Sequence, residues 1–450
     1  MPTLADSSVE EAPREGETSC LPTVQFQSSM SNLLTTWRKW LVSAPIRRFL
    51  RRADIPNMHG TMASSHLDLM RGLAAIAVLV SHLRNIFFVD YAELLSSRKG
   101  ALVAIVYFTT DLGHQAVIIF FVLSGFLIAG SVIKSTVDSR WSWRSYLIKR
   151  GSRLYVVLIP ALVLGLILDR TGMALSGRGI YVGQFHNHVI EFSVADRSSI
   201  LTLIGNALFL QDVFVKPFGS NAALWSLSYE FWYYILFPLL IYVAFFANRL
   251  VRLCSVGATA LILLAVGKDI SLYFVIWLCG AALNLFPRHP MRLRRSTILA
   301  CAGVFVLSLV GSRLAVLASS TFVNDLILGL AAATLTYALA SDRRKTVGSW
   351  IYTPLAGGIA GFSYSLYLVH LPFLVLIKSQ IDQSHRWEPT ATTVVGGLGI
   401  GAAALLYAVG VAHFTERRTD IACRHLSQLV ESLPCTGSFL QRRIAREAVQ

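Results

Sequence analysis

Apolar runs separated by short polar connections fill the chain between Leu67 and His413. They fall at 67–89, 116–133, 154–168, 223–247, 251–266, 272–286, 298–319, 322–340, 357–377 and 394–413. A helix crossing a bilayer needs roughly 20 mostly apolar residues. The pattern therefore predicts an all-α, polytopic helical bundle of about ten transmembrane helices. A further apolar stretch, 200–210, is too short to span and belongs to the long connection 169–221.

Charge orients this bundle. The connection 134–153 holds Lys134, Arg140, Arg144, Lys149, Arg150 and Arg153 against Asp138 alone. Arg249 and Arg252, then Arg288, Arg292, Arg294 and Arg295, then Arg343, Arg344 and Lys345 mark every second connection thereafter. The intervening connections are close to neutral. Cytoplasmic loops carry the excess of Lys and Arg, so both termini are expected in the cytosol. Three parts follow: a basic, partly disordered cytosolic arm (1–66), a membrane-embedded domain (67–413) and a cytosolic tail (414–450). The arm has no apolar run of signal-peptide length, so no cleaved signal is expected.

Composition agrees with the pattern. The chain is 54% hydrophobic and 14% charged, well under the roughly 25% charged residues of soluble domains, and its mean hydropathy is +0.57. The net charge of +15 fits basic cytoplasmic loops against anionic lipid better than a nucleic-acid surface, and no nucleic-acid partner is expected. Between Arg38 and Arg52, six Lys/Arg alternate with Trp40, Leu41, Ile46, Phe49 and Leu50. This segment either lies on the inner membrane surface or is a solvated linker. The six cysteines lack CxxC or zinc-type spacing, which predicts neither a disulfide framework nor a metal site. His186 and His188 have no third ligand nearby in sequence and read as loop residues. LPCTG at 433–437 imitates a cell-wall sorting signal, but no apolar span follows it.

Polar residues inside the spans carry the candidate chemistry, because they are expensive at membrane depth and usually functional. In the first run, Arg71 and His82 are eleven positions apart, close to three helical turns, so they share a face. They lie roughly 16 Å apart along the axis. Asp68, Arg71 and Arg84 can also be read as snorkelling at the helix ends, and His82 as a core histidine bonded to a neighbouring helix. Ser124-Gly125 reads as a packing site between helices. Arg150 and Arg153 share a face at i, i+3, and arginine suits bidentate phosphate contacts. Glu230 falls about a turn and a half below the outer end of its span, and His370 in the outer half of its own. The topology thus predicts His82, Glu230 and His370 at a similar depth, with Arg71, Arg150 and Arg153 at the cytosolic end. A phosphate-sized basic site below an acid–base cluster fits a two-substrate membrane enzyme.

These motifs occur in a familiar order. R-x10-H (Arg71, His82), FFVLSGFLI, YLIKRGSRLY, LWSLSYEFWYYILFP and YSLYLVH resemble the acyltransferase 3 family, integral-membrane O-acyltransferases of surface and extracellular glycans. The resemblance runs from Leu67 to His413. One departure is that proline does not follow the second arginine of the third motif; Pro160 comes later. Some members carry a fused SGNH-type hydrolase domain, and the short stretch after His413 is not expected to hold one. The resemblance implies O-acyl transfer (acetyl, succinyl or similar) from acyl-CoA, a donor co-substrate with no permanently bound cofactor. The acceptor would be a sugar hydroxyl of a carbohydrate or glycolipid: exopolysaccharide, lipopolysaccharide or another exported glycan. It also implies an integral protein of the bacterial plasma (inner) membrane. On that reading Arg71, Arg150 and Arg153 hold the donor's phosphates, His82 is the general base or accepts the acyl group covalently, and Glu230 and His370 complete the catalytic set. A transporter using the same His, Glu and Arg as a proton relay stays open, although no internal repeat points to one.

Overall fold

The computed structural model describes residue 58 and residues 60–432 except 139, 177–178, 186, 246–247, 287–293, 343, 347–349 and 382–384. The basic segment 38–52, His186 and LPCTG at 433–437 lie outside the described residues. Among those described the fold is helical, with isolated bridges and no sheet. The long helices are α1 (Met62–Phe87), α3 (Gly113–Val137), α4 (Trp143–Ser176), α6 (Trp225–Phe245), α7 (Arg249–Ala282), α8 (Arg295–Arg313), α9 (Thr321–Ala340), α11 (Ser363–Ile381) and α12 (Ala391–Phe414). The shorter ones are α2 (Ala101–Thr109), α5 (Ile200–Ala207), α10 (Tyr352–Ala360) and α13 (Thr419–Ser432).

Nine helical stretches among the described residues are long and apolar enough to cross a membrane. The chain is an integral membrane protein. The predicted spans 251–266 and 272–286 merge into α7, which keeps the expected break as a kink: Gly267 has φ 82°, a left-handed conformation that costs glycine little. The predicted span 357–377 is divided between α10 and α11. Pro160 sits inside α4 without ending it.

The core is built from α1, α3, α4 and α11. Helix α1 packs on α3, α10 and α11, and α11 packs in turn on α4 and α12. Helices α3 and α7 cross very closely. A Cβ on Gly125 would stand 2.0 Å from the Trp277 carbonyl, and one on Gly280 would stand 2.0 Å from the Val122 carbonyl. Without a hydrophobic drive between helices in lipid, such small-residue contacts gain dispersion energy through backbone approach. Ser124-Gly125 is a packing site, as its sequence suggests. Apolar side chains on the outer faces, such as Leu264 and Leu398, are left exposed for lipid.

Two ends of the bundle are distinguished by contacts. At the start of α1, the Met62 and Ala63 amides donate to the carbonyls of Arg344 and Asp342, and His66 and Arg344 both contact the Asp342 carboxylate. At the end of α1, Trp387 exchanges backbone hydrogen bonds with Phe87 and Val89, and Arg386 pairs with Asp90 and Glu93. The basic 341–351 connection thus flanks one end of α1 and the near-neutral 385–390 connection the other, as the charge alternation requires.

The long connection 169–221 departs from a surface loop. Its last part folds back into the bundle: Phe209, Gln211 and Ser220 are fully buried and Asn221 nearly so. Asp169 on α4 anchors it, accepting from the Ser220 amide (2.8 Å) and hydroxyl (2.6 Å). A Cβ at Gly219, where φ is +60°, would stand 2.3 Å from the Asp169 carboxylate. The Asn221 side chain donates to the Leu368 carbonyl, about a third of the way along α11 (2.7 Å). Helix α6 therefore starts inside the bundle, not at its outer surface.

Two predictions follow from these anchors. Asp169→Ala leaves the Ser220 donors buried without an acceptor, at a cost of about 2 kcal/mol, and Gly219→Ala adds strain and a clash. Both should lower the melting midpoint in detergent, and an unchanged midpoint in both would mean that the segment is not anchored there. At the other end, hydrogen bonds from Arg344 hold the Asp342 carboxyl at about 2, below its ordinary 3.8. A depressed carboxyl stabilises the fold fully above its unfolded value and loses that contribution as pH falls through the folded one. Asp342→Asn should therefore remove part of the stability lost between about pH 4 and pH 2, seen as a flatter melting-midpoint profile against pH.

Candidate active site

Two histidines from non-adjacent helices meet in the middle of the bundle. His82 Nδ1 lies 2.7 Å from His370 Nε2, with the rings stacked at 5.1 Å between centroids and 10° between planes. The pair comes from α1 and α11, which pack directly on each other. His370 Nδ1 is 2.8 Å from the Leu366 carbonyl, which can only accept, so this nitrogen carries the proton. In the neutral pair His370 Nε2 is then an acceptor, and His82 Nδ1–H donates to it. That assignment leaves the lone pair on His82 Nε2. His370 is fully buried, whereas His82 lines a cavity.

This cavity opens toward the Asp90 end of α1. Ser81, His82, Asn85, Asp111, His114, Gln115 and Arg313 line it, and it has about 620 Å³ of empty space including its open mouth. Asp111 organises its wall: Oδ1 takes Arg84 Nη2 (2.7 Å) and Asn85 Nδ2 (3.2 Å), and Oδ2 takes Arg313. Arg84 also reaches Asp90 (3.2 Å). The snorkelling reading of Arg84 is corrected here, because this side chain is about nine-tenths buried and paired with two carboxylates. Asp90 is itself a carboxylate whose partial burial favours the neutral form. Arg386 and His188 outweigh that and hold its pKa below the ordinary value.

A second cavity opens toward the other end of the bundle, with about 920 Å³ of empty space including its mouth. Arg71, Arg150 and Arg153 line it together with Glu230, Tyr234 and Tyr364. Arg150 donates to Ser131 (2.9 Å) and lies against the rings of Tyr146 and Tyr234. Arg71 pairs with Asp68 (3.2 Å) and donates to the Ala360 carbonyl (3.3 Å). The buried Nε atoms of both arginines have no partner among the described residues. All three arginines are brought together in one basic chamber.

Glu230 belongs to that chamber. Its Oε1 accepts from Ser124 Oγ (3.0 Å) and from Tyr234, and Ser124 in turn accepts from Trp277 Nε1 (3.2 Å). The expected common depth of Glu230 with the two histidines is corrected. Asn221 already stands level with Leu368, so Glu230, nine helical residues further on, is carried about 13 Å deeper. The inward fold of 209–224 causes the displacement. Ser124 has a polar role that its packing position hid.

The histidine pair forms the boundary between the two cavities: His82 lines one, and Tyr367, whose ring centroid is 6.3 Å from that of His370, lines the other. Phe120 and Tyr367 (5.9 Å between ring centroids) stand at this boundary, with the Tyr367 hydroxyl 2.6 Å from Ser226 Oγ. Asp111, His114 and Gln115 lie just before the apolar run that begins at Ala116, and Arg313 lies inside the run 298–319, where nothing local marks it as a partner of Asp111. The run D-L-G-H-Q immediately before Ala116 was the available signal.

Fold and site define a polytopic membrane protein with an intramembrane histidine pair between a basic and a mixed-charge chamber. Residues 65–410 match the family described as "Acyltransferase domain", and the chain belongs to this acyltransferase 3 family. Similar curated proteins include nodulation protein 10 of Rhizobium leguminosarum bv. viciae, 27% identical over 41% of this chain and 46% of that protein. Acyltransferase MdmB of Streptomyces mycarofaciens is 30% identical over 38% of this chain and 37% of its own length. An uncharacterized protein of Haemophilus influenzae is 28% identical over 30% of this chain and 51% of its own. The chain thus matches about half or less of the length of these relatives. No solved structure matches it.

The histidine pair makes a prediction. His370→Phe keeps a ring in the same space but removes the acceptor that holds the His82 tautomer. Acyl transfer should fall by roughly 10²-fold or more, in a protein that still folds but has lost about 1–3 kcal/mol to the unmatched His82 donor. Near wild-type turnover in a folded His370→Phe protein would show that the pair is structural only.

Proposed function

We propose that the chain transfers an acyl group from acyl-CoA, entering from the cytosol, to a hydroxyl of an envelope or exported glycan on the opposite side. The observation that carries this reading is the His82 Nε2 lone pair, held in its tautomer by His370, beside the boundary between the two chambers. A relative named as an acyltransferase supports the reaction class. The bacterial relatives support a bacterial plasma membrane.

Arg71, Arg150 and Arg153 suit the donor's phosphates, being three cations converging on one chamber in a low-dielectric surrounding. The pantetheine arm would run along the chamber toward Tyr367, which brings the thioester within one helical turn of the dyad. Transfer requires the Phe120–Tyr367 boundary to yield locally. The acceptor hydroxyl gives its proton to His82 Nε2 as its oxygen attacks the thioester carbonyl carbon. Collapse of the tetrahedral intermediate breaks the C–S bond, and the thiolate leaves with the proton held by His82. The ester and the free thiol account for all atoms. Glu230 acts in this scheme on the donor side, ordering Ser124 and Tyr234 in the chamber wall, and does not orient His82.

The test is transfer of labelled acetyl or succinyl groups from CoA to envelope glycan fractions by purified protein. His82→Ala should reduce transfer by about 10²-fold or more, while Arg150→Ala should mainly raise KM for the donor. Undiminished transfer by His82→Ala would remove the catalytic assignment. Solute uptake or efflux without any acylated product would favour a transporter.

A further inference from the structure

The cavity that His82 lines continues into a neighbouring one, since both are lined by Asp111, His188 and Arg313. The second cavity is bounded by Tyr91, Tyr107 and Phe108 and has about 750 Å³ of empty space, its open mouth included. The charged groups along this path are largely spent on one another. Asp111 is held between Arg84 and Arg313, and Asp90 between Arg84, Arg386 and His188.

What remains unmatched is of another kind. Gln115, 6% exposed, lines the cavity beside His82, and its Oε1 has no hydrogen-bond partner among the described residues. Tyr107, 8% exposed, lines the second cavity, and its hydroxyl has none either. The buried Nε atoms of Arg84 and Arg313 add two unmatched donors along the same walls. A buried polar atom without a partner costs about 1–3 kcal/mol, and native structures usually satisfy such atoms or use them. Here acceptors and donors stand unmatched together, in a cavity whose formal charges are already paired. That combination suits a ligand whose groups both donate and accept, which is the property of hydroxyls. Tyr91 and Tyr107, with rings 5.7 Å apart, add an apolar surface of the size of a sugar ring face.

We propose that these two cavities form the acceptor site for an uncharged saccharide. Gln115 Oε1 accepts from the hydroxyl next to the one presented to His82, and Tyr107 contacts the following sugar unit. The inference rests on the acyl-transfer reading for the identity of the presented hydroxyl. Gln115 and Tyr107 are binding residues in this assignment, and neither is asked to move a proton in the reaction.

The test measures binding separately from turnover. Full-length protein in lipid nanodiscs is titrated with methyl glycosides of glucose, galactose, rhamnose and N-acetylglucosamine, and with methyl maltoside, and saturation transfer to the sugar protons is followed by NMR. The wild type should show transfer to at least one of these sugars. Gln115→Met, which keeps the side-chain volume, should weaken binding about fivefold, the loss expected for one hydrogen bond. Tyr107→Phe should leave monosaccharide binding unchanged and weaken the disaccharide. Absence of a signal from every sugar, or wild-type binding in both variants, overturns the proposal. Should Gln115→Met also lower the melting midpoint, Tyr107→Phe decides, since it removes a single oxygen; unchanged disaccharide binding then overturns it. Saccharide binding without transfer of labelled acyl groups by the wild type would remove the catalytic reading and leave the binding site standing.

Discussion

The hydrogen bond between His82 and His370 is the interaction on which the rest of the site depends. It joins α1 to α11 in the middle of the bundle, and the Leu366 carbonyl gives it a direction. An imidazole alone in hydrocarbon has two tautomers and no fixed orientation. A stacked pair with one end tied to the backbone has one preferred neutral arrangement, which presents a basic nitrogen from His82. A membrane interior permits this only because each member satisfies the other. The same two rings therefore account for local stability and for the reactive geometry.

Around the pair, the bundle separates two kinds of charge. Three arginines converge on one chamber, with Glu230 bound to Ser124 and Tyr234 in its wall. In the other chamber, Asp111 and Asp90 pair with Arg84, Arg313 and Arg386 until little net charge is left unshared. The first arrangement suits a polyanionic ligand and the second a neutral polar one. Helix α3 passes through both, and the change from Gln115 to Val117 takes place within a single turn. Close crossing of α3 and α7 at Gly125 and Gly280 keeps that helix in place.

The folded-back segment 209–224 has a consequence beyond its own packing. Asp169 and Ser220 draw it into the bundle, and α6 starts level with the first third of α11. Glu230 is thereby moved from the depth of the histidines to the arginine chamber. The change in depth changes its surroundings, from the histidine pair to the wall of the arginine chamber. Arg84 shows the same effect on a smaller scale: near a helix end it looks free to snorkel, yet Asp90 and Asp111 enclose it.

Much of the architecture was legible in the residues alone. The lengths of the apolar runs determined a helical membrane bundle, since hydrocarbon thickness admits few other solutions, and alternating basic connections gave an expected orientation. Arg71, Arg150 and Arg153 at one end, and His82 with His370 deeper in, followed from helical rise and direction, which are local properties. The kink at Gly267 was also visible, as a gap between two apolar runs. What only the tertiary structure decided was which polar groups touch. The His82–His370 contact joins residues 288 positions apart, and Asp111 gathers arginines from α1 and α8. Glu230 owes its depth to a loop that enters the bundle, which topology counted from the surface does not anticipate. Periodicity and charge are read along one helix at a time, whereas hydrogen-bond partners are set by packing between helices, and it is packing that made these separate polar residues into a site.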